Sequence, residues 1–237
     1  MQLAGLAAVI TGATEGIGRA IAQELGKAGM RVAICARTEP RVRATVAEFT
    51  GSGIDAIGMA CDVADPASVD RFAQFVHRER GTPAVVVNNA GIGRFKPIEE
   101  LSLDDWDATM AVNVRSLFLV TRAFLTGMKA ARSGAVVNIA SLAGKNGIEG
   151  GTAYCASKHA VLGFSKSLML EVRKHDIRVI AVCPGSVATP FMDKNARSRA
   201  NRDRVLRAED VAQTVLSTLT LSDRAMISEL DIRPTNP

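Results

Sequence analysis

Short apolar runs alternate along the chain with longer stretches in which apolar residues recur every three or four positions. The runs are Ala7–Ile10, Arg31–Ala36, Ala56–Cys61, Ala84–Asn88, Ala135–Ile139, Arg178–Cys183 and, more weakly, Ile227–Ile232. They are rich in Val, Ile and Ala and nearly continuous, the pattern of strands buried on both faces. The stretches between them have helical length and recognisable starts. Asp65-Pro66 reads as an N-cap followed by a proline at the first helical position. Ser102 precedes a helix from near Leu103, and Thr152 precedes one striped with Val161, Phe164, Leu168 and Val172. Seven strands alternating with about six helices predict an α/β fold, one doubly wound parallel sheet with helices on both faces. Residues 189–207 break the alternation: they are polar and basic after Phe191 and Met192, and too long for an ordinary connection.

Length and composition narrow the class. The chain has 237 residues, 47% hydrophobic and 22% charged, which suits a single globular domain spanning 1–237. There is no run of 18 apolar residues, so no membrane span is expected. Met1-Gln2-Leu3-Ala4-Gly5 lacks the basic start of a secretory signal. Cys35, Cys61, Cys155 and Cys183 form no C-x-x-C pair, and only three histidines accompany them. No metal site is expected, and the cysteines read as free thiols of a reducing cytoplasm. The net charge of +5 is concentrated: Lys194, Arg197, Arg199, Arg202, Arg204 and Arg207 stand in one segment against Asp203 alone. Basicity confined to one segment argues against a nucleic-acid partner.

The first strand runs into Thr11-Gly12-Ala13-Thr14-Glu15-Gly16-Ile17-Gly18 and then a helix to about Ala28. A glycine turn between strand and helix lets a pyrophosphate approach the backbone, where free helical N–H groups point at the anion. The second strand ends Cys35-Ala36-Arg37-Thr38. An acid here would hold a ribose 2′-hydroxyl and select NAD(H). A cation and a hydroxyl suit a 2′-phosphate instead, so NADP(H) is the expected cofactor. Glu15 lies on the same side and would repel that phosphate if it pointed inward. After the third strand come Asp62 and Val63, where the carboxylate either accepts from an adenine amino group or caps the next turn.

Further motifs follow in order. Asn88-Asn89-Ala90-Gly91 ends the fourth strand, Asn113 lies in the following helix, and Ser141 ends the fifth strand. Tyr154 and Lys158 open the next helix on one face, four residues apart. Pro184-Gly185-Ser186-Val187-Ala188-Thr189 ends the sixth strand. Taken together, T-G-x-x-x-G-x-G, N-N-A-G, a helical Asn, Ser, Y-x-x-x-K and P-G-x-x-x-T resemble the typical compact branch of the short-chain dehydrogenase/reductase family. The resemblance covers almost the whole chain and implies a Rossmann-like fold and carbonyl–alcohol interconversion by hydride transfer. It implies Tyr154 as general acid/base, and Ser141 as the residue orienting the substrate oxygen. Lys158 holds the nicotinamide ribose and lowers the tyrosine pKa, and Asn113 anchors a water behind it. Gly12, Thr14, Glu15, Gly16, Ile17, Gly18, Arg37, Thr38, Asp62, Val63, Asn89, Ala90 and Gly91 are expected at the cofactor. So are Tyr154, Lys158, Pro184, Gly185, Val187 and Thr189, with Thr189 on the carboxamide and Asn88 lining the cleft. Tyr154 is the only tyrosine in the chain.

In such a fold the segment 189–207 is expected as a lid over the substrate. Its arginines either attract an anionic substrate or simply keep a mobile lid solvated. Arg94, Phe95, Lys145, Asn146, Ile148, Glu149 and Ser186 are expected around the substrate, a set with more charge than aromatic surface, which disfavours a bulky steroid-like molecule. The segment Ile227–Pro237 lacks the glycine-rich V-D-G-G-like end of carrier-protein ketoacyl reductases, which argues against a 3-oxoacyl thioester as substrate. An NADP-binding regulatory protein without turnover is the alternative on the same fold. A homodimer or homotetramer through the long helices 104–131 and 152–174 is implied by the resemblance.

Overall fold

The computed structural model describes residues 1–194 and 204–235. Arg197, Arg199, Arg202 and Asp203 of the basic segment lie outside them. The chain runs β1 (Ala7–Thr11), α1 (Gly16–Lys27), β2 (Arg31–Ala36), α2 (Glu39–Gly51), β3 (Ala56–Ala60), α3 (Pro66–Arg80) and β4 (Val85–Asn88). It continues through α4 (Leu103–Met110), a π-helical turn (Ala111–Arg115), α5 (Ser116–Ala131), β5 (Gly134–Ile139) and α6 (Thr152–Val172). Then come β6 (Ile177–Pro184), α7 (Pro190–Lys194), α8 (Ala208–Leu219) and β7 (Glu229–Ile232). The strands form one sheet in the order β3-β2-β1-β4-β5-β6-β7, every neighbouring pair parallel.

Side chains alternate across the pleat, and each face finds its own core. Ile10, Ile34, Val87, Val137 and Ile180 pack with Leu25 of α1, Phe49 of α2 and Val215 of α8. Val9, Ala33, Val86, Val136 and Val179 pack with Phe72 of α3, Phe124 of α5 and Leu168 of α6. Each fully buried large side chain in these layers contributes roughly 1.5–3 kcal/mol. This is why the strand runs carry almost no polar residues.

The helix starts follow their caps. The Asp65 carboxylate accepts from the amides of Ala67 and Ser68, and Ser102 Oγ accepts from Asp105 N. The third expected cap differs: α6 begins at Thr152 itself, Gly151 stands at the N-cap, and no side chain caps it. Of the segment 189–207, expected as a lid, residues 189–194 and 204–207 are described. Thr189 leads into α7, and Val187 and Leu206 form a parallel bridge. Leu206 N donates to Ser186 O at 3.0 Å and Ala188 N to Leu206 O at 2.8 Å, which ties the end of the segment back to β6.

The continuous helix Leu103–Ala131 has the length and hydropathy of a membrane span, yet 44% of its most apolar window is buried inside the fold. Its buried polar residues Thr109, Asn113, Ser116 and Thr121 find hydrogen-bond partners within the protein. This helix packs on the sheet, and of these polar residues Asn113 reaches the loop of Ile92 beside the site.

Candidate active site

The strand order reverses between β1 and β4, and their carboxyl ends open a crevice there. Thr11 and Asn89 hold its floor. Thr11 Oγ1 accepts from the amides of Asn89 and Ala90 at 3.0 and 3.1 Å. Asn89 Nδ2 donates to Thr11 O and Gly12 O at 2.9 and 3.1 Å. The loop can lie this close only without side chains. A Cβ at Gly12 (φ +64°) would sit 2.9 Å from Ala90 Cα, and one at Gly18 would sit 2.3 Å from Asn89 Nδ2. Thr14, Gly16, Ile17 and Gly18 carry the chain into α1, whose N-cap Glu15 makes no side-chain cap bond. The Glu15 side chain therefore leaves the first N–H groups of α1 untaken.

At the far end of the crevice Arg37 is exposed and Thr38 is the N-cap of α2, its hydroxyl making no cap bond. Glu15 is drawn to Arg41, 3.0 Å from its carboxylate. This offsets the negative charge that the sequence placed beside a 2′-phosphate. The sequence motifs do not single out Arg41; its spacing of four from Arg37, across the start of α2, is the available signal. Asp62 Oδ1 accepts from Ala64 N at 2.9 Å, the turn-capping role, and Val63 is buried. Asn88 does not line the cleft with its side chain. Its amide turns into the core, donating to Thr121 Oγ1 at 3.0 Å and Asn138 Oδ1 at 2.9 Å, because alternation along β4 sends Asn88 and Asn89 to opposite faces.

The other end gathers Asn113, Ser141, Tyr154 and Lys158. Ser141 caps a short 3-10 turn over Leu142–Gly144 and accepts from Ala143 N at 3.1 Å. Ser141 stands close enough to Tyr154 to pull the phenol's pKa down. One helical turn after Tyr154, the buried Lys158 Nζ donates to Ile139 O at 2.9 Å and lies 5.7 Å from the Tyr154 ring centre. Asn113, in the π-helical turn, donates to Ile92 O and accepts from Ile92 N, both at 2.8 Å. A Cβ at Gly91 would stand 3.4 Å from Asn113 Oδ1 and 3.7 Å from Lys158 Nζ, so Gly91 lies between them. Thr189 closes the crevice from β6: its Cγ2 would be 3.3 Å from a Cβ at Gly16. Gly185 N donates to Ile232 O at 2.9 Å, and Val187 and Pro184 are buried under this link.

The electrostatics depart from the expected lowering of the tyrosine pKa. Burial pushes the Tyr154 phenol up to about 12, against a smaller downward pull from Ser141. Burial also brings the Lys158 ammonium down to about 8. Removal from water disfavours either charged form more than the neighbouring lysine favours the phenolate. In the chain alone the phenol thus stands protonated at neutral pH, the state a proton donor needs.

Two of the cations expected around the substrate, Arg94 and Lys145, are held in ion pairs. Arg94 and Lys96 pair with Asp105 at 3.3 and 2.8 Å. Lys145 is held between Glu229 and Asp231 of β7, 2.6 Å from each, and both raise its pKa. Asn146 donates to Leu142 O, while Ile148, Glu149 and Ser186 are exposed. The rings of Phe95 and Phe191 lie against Tyr154, centroids 5.2 and 5.8 Å away. In the sequence Phe191 is only the apolar edge of the basic segment; its ring partner is 37 positions away, beyond the reach of any spacing argument. Cys155 is half-buried, and His159 Nδ1 lies 2.8 Å from its carbonyl oxygen.

The sequence profile of short chain dehydrogenases matches residues 6–200. The chain belongs to the short-chain dehydrogenase family. Among curated relatives, a putative ketoacyl reductase of the granaticin polyketide synthase from Streptomyces violaceoruber is 42% identical over 189 residues, 79% of this chain and 70% of that protein. The 3-oxoacyl-[acyl-carrier-protein] reductase FabG of Pseudomonas aeruginosa is 36% identical, covering 91% of this chain and 90% of that protein. Among solved structures, a metagenomic short-chain oxidoreductase in complex with NADP superposes over the full length of both chains with a TM-score of 0.87 and 38% identity. A single-substitution variant of actinorhodin polyketide ketoreductase with NADPH gives 0.91 at 33% identity, covering 99% of this chain and 97% of that one. This short-chain dehydrogenase is an oxidoreductase that interconverts a carbonyl and an alcohol.

Proposed function

We propose that this chain is one NADP(H)-dependent domain that reduces a ketone, or runs the reverse, with Tyr154 as the proton donor. The observation that carries this reading is Tyr154 beside Ser141, with Lys158 buried one turn away and held by Ile139 O, and the glycine crevice alongside. Gly12 and Gly18 let the Asn89–Ala90 loop pack against the start of α1, and this close floor fits the crevice in which a dinucleotide would lie. Gly12 to Gly18 and the N-terminus of α1 would hold its pyrophosphate. Arg37, Thr38 and the neighbouring Arg41 would hold the 2′-phosphate, and solved relatives complexed with NADP or NADPH support that choice. Asp62, Val63, Asn89, Ala90 and Gly91 would line the adenosine and ribose side; Pro184, Gly185, Val187 and Thr189 would border the nicotinamide. When bound, the nicotinamide supplies the hydride.

The chain's own part is to hold the carbonyl and deliver a proton. Ser141 Oγ and Tyr154 Oη together donate to the carbonyl oxygen, where negative charge grows as hydride arrives. Tyr154 then gives its proton to the alkoxide. The Lys158 ammonium, fixed by Ile139 O, stabilises the phenolate left behind. Asn113 holds the loop of Ile92 against the start of α6 and so keeps the donors in register.

The narrower reading as a 3-oxoacyl thioester reductase is supported by the ketoacyl reductases among the relatives. Residues 189–207 would cover the substrate. Exposed Phe118 on α5 and Leu170 on α6 support pairing of two copies through these helices. The free thiols at Cys35, Cys61 and Cys183 suit the cytoplasm. The test is NADPH and NADH oxidation followed by absorbance over a panel of ketones, aldehydes and ketoacyl thioesters. Turnover with NADPH supports the reading; tight NADPH binding with no turnover favours a regulatory binding protein instead.

A further inference from the structure

Tyr154 is only 8% exposed, although it must meet the substrate. Two phenylalanines cover it. Phe95, from the loop after β4, is tilted 51° to the Tyr154 ring at 5.2 Å. Phe191, from α7, is tilted 39° at 5.8 Å on that same ring. Both distances lie within the range of aromatic contact. The rings are held by specific features. Lys96 N donates to Gly150 O at 2.8 Å, which pins the Phe95 loop beside the start of α6. Gly93 leaves the space they use: a Cβ there would meet Phe95 Cε2 at 2.6 Å and Phe191 Cζ at 2.9 Å. The cations of this neighbourhood are paired elsewhere, Arg94 and Lys96 with Asp105, Lys145 with Glu229 and Asp231.

A carbonyl oxygen placed between Ser141 and Tyr154 puts its two substituents beside these rings. We propose that Phe95 and Phe191 are the specificity-determining walls of the site and that they select uncharged ketones carrying an aryl group next to the carbonyl. The inference rests on the ketone-reducing reading above and adds the substrate class. A flat ring slides between tilted phenylalanines with little displacement, a puckered ring gives up that aromatic contact, and a carboxylate meets apolar edges without a partner. The rings also exclude water from the phenol, in keeping with its burial.

The experiment compares phenyl methyl ketone with cyclohexyl methyl ketone, which share a carbon skeleton and differ in flatness, and adds acetoacetate as the anionic competitor. The kcat/KM of each is measured with saturating NADPH for the native chain, Phe95→Leu and Phe191→Leu, and NADPH affinity is followed by fluorescence to show that each variant retains its fold. The aryl ketone is expected to lead acetoacetate. The aryl-to-cyclohexyl ratio is expected to fall about tenfold in either variant, the size of a lost aromatic contact. A ratio unchanged in both variants, or acetoacetate preferred by the native chain, overturns the inference while leaving ketone reduction intact. Tight NADPH binding with no turnover of any ketone overturns the underlying reading, and the inference with it.

Discussion

Asn113 and Ser157 are joined by a 2.9 Å hydrogen bond inside the fold, from the side-chain amide to the hydroxyl. Ser157 passes the link on, donating to the Tyr154 carbonyl at 2.7 Å. Asn113 is bonded to both backbone groups of Ile92. The loop after β4, the π-helical turn and the first turn of α6 are therefore tied into one body. Ser157→Ala leaves one donor of a buried amide without a partner. It is expected to lower the unfolding free energy by about 1–3 kcal/mol, read from denaturant unfolding, and to reduce turnover. Unfolding and turnover both equal to the native chain would show that the link carries nothing.

Cofactor choice is expected to follow Arg37. Its exposed guanidinium stands at the end of β2 next to the start of α2. Arg37→Asp places a carboxylate where the 2′-phosphate would lie and recreates a partner for a ribose hydroxyl. The ratio of kcat/KM for NADPH over NADH is expected to fall by about a hundredfold, the scale of a lost charged contact of roughly 3 kcal/mol. Arg41→Ala, which removes a cation 3.0 Å from the Glu15 carboxylate, is expected to push the ratio the same way by less. A ratio unchanged in Arg37→Asp would remove the residue from the cofactor site.

The pH dependence follows from burial. The ordinary lysine value is 10.5, and burial brings Lys158 to about 8. The ammonium is present below that pH and is lost as pH rises through it. The kcat/KM for NADPH reports the free enzyme. It is expected to be level at neutrality and to decline with a midpoint near 8 if Lys158 must be charged. Because Tyr154 is the only tyrosine, ultraviolet titration reads it alone, and its midpoint is expected near 12 rather than at the ordinary 10.0. A phenol titrating at its ordinary value would contradict the dry site.

The sheet is legible in the sequence because its strands are buried on both faces: Arg31–Ala36 is both the apolar run and the observed β2. The glycine loop and the Tyr154–Lys158 pair are legible because their chemistry depends on short spacings. The long-range partners are not. Arg41 reaching back to Glu15, Phe191 meeting Tyr154, and β7 gripping Lys145 all join positions that only folding brings together. The tyrosine pKa departs from expectation for a related reason. A neighbouring lysine is visible at four residues' distance, but the burial that outweighs it comes from Phe95, Phe191 and the sheet.

The central claim is that Tyr154 delivers the proton. Tyr154→Phe keeps the ring and removes only the hydroxyl. With a ketone that the native chain reduces, its kcat with NADPH is expected to fall by about 10² to 10⁴-fold, while NADPH affinity, measured by fluorescence in the same preparation, stays within about twofold of native, because the glycine crevice is untouched. Turnover in Tyr154→Phe comparable to that of the native chain would contradict the account.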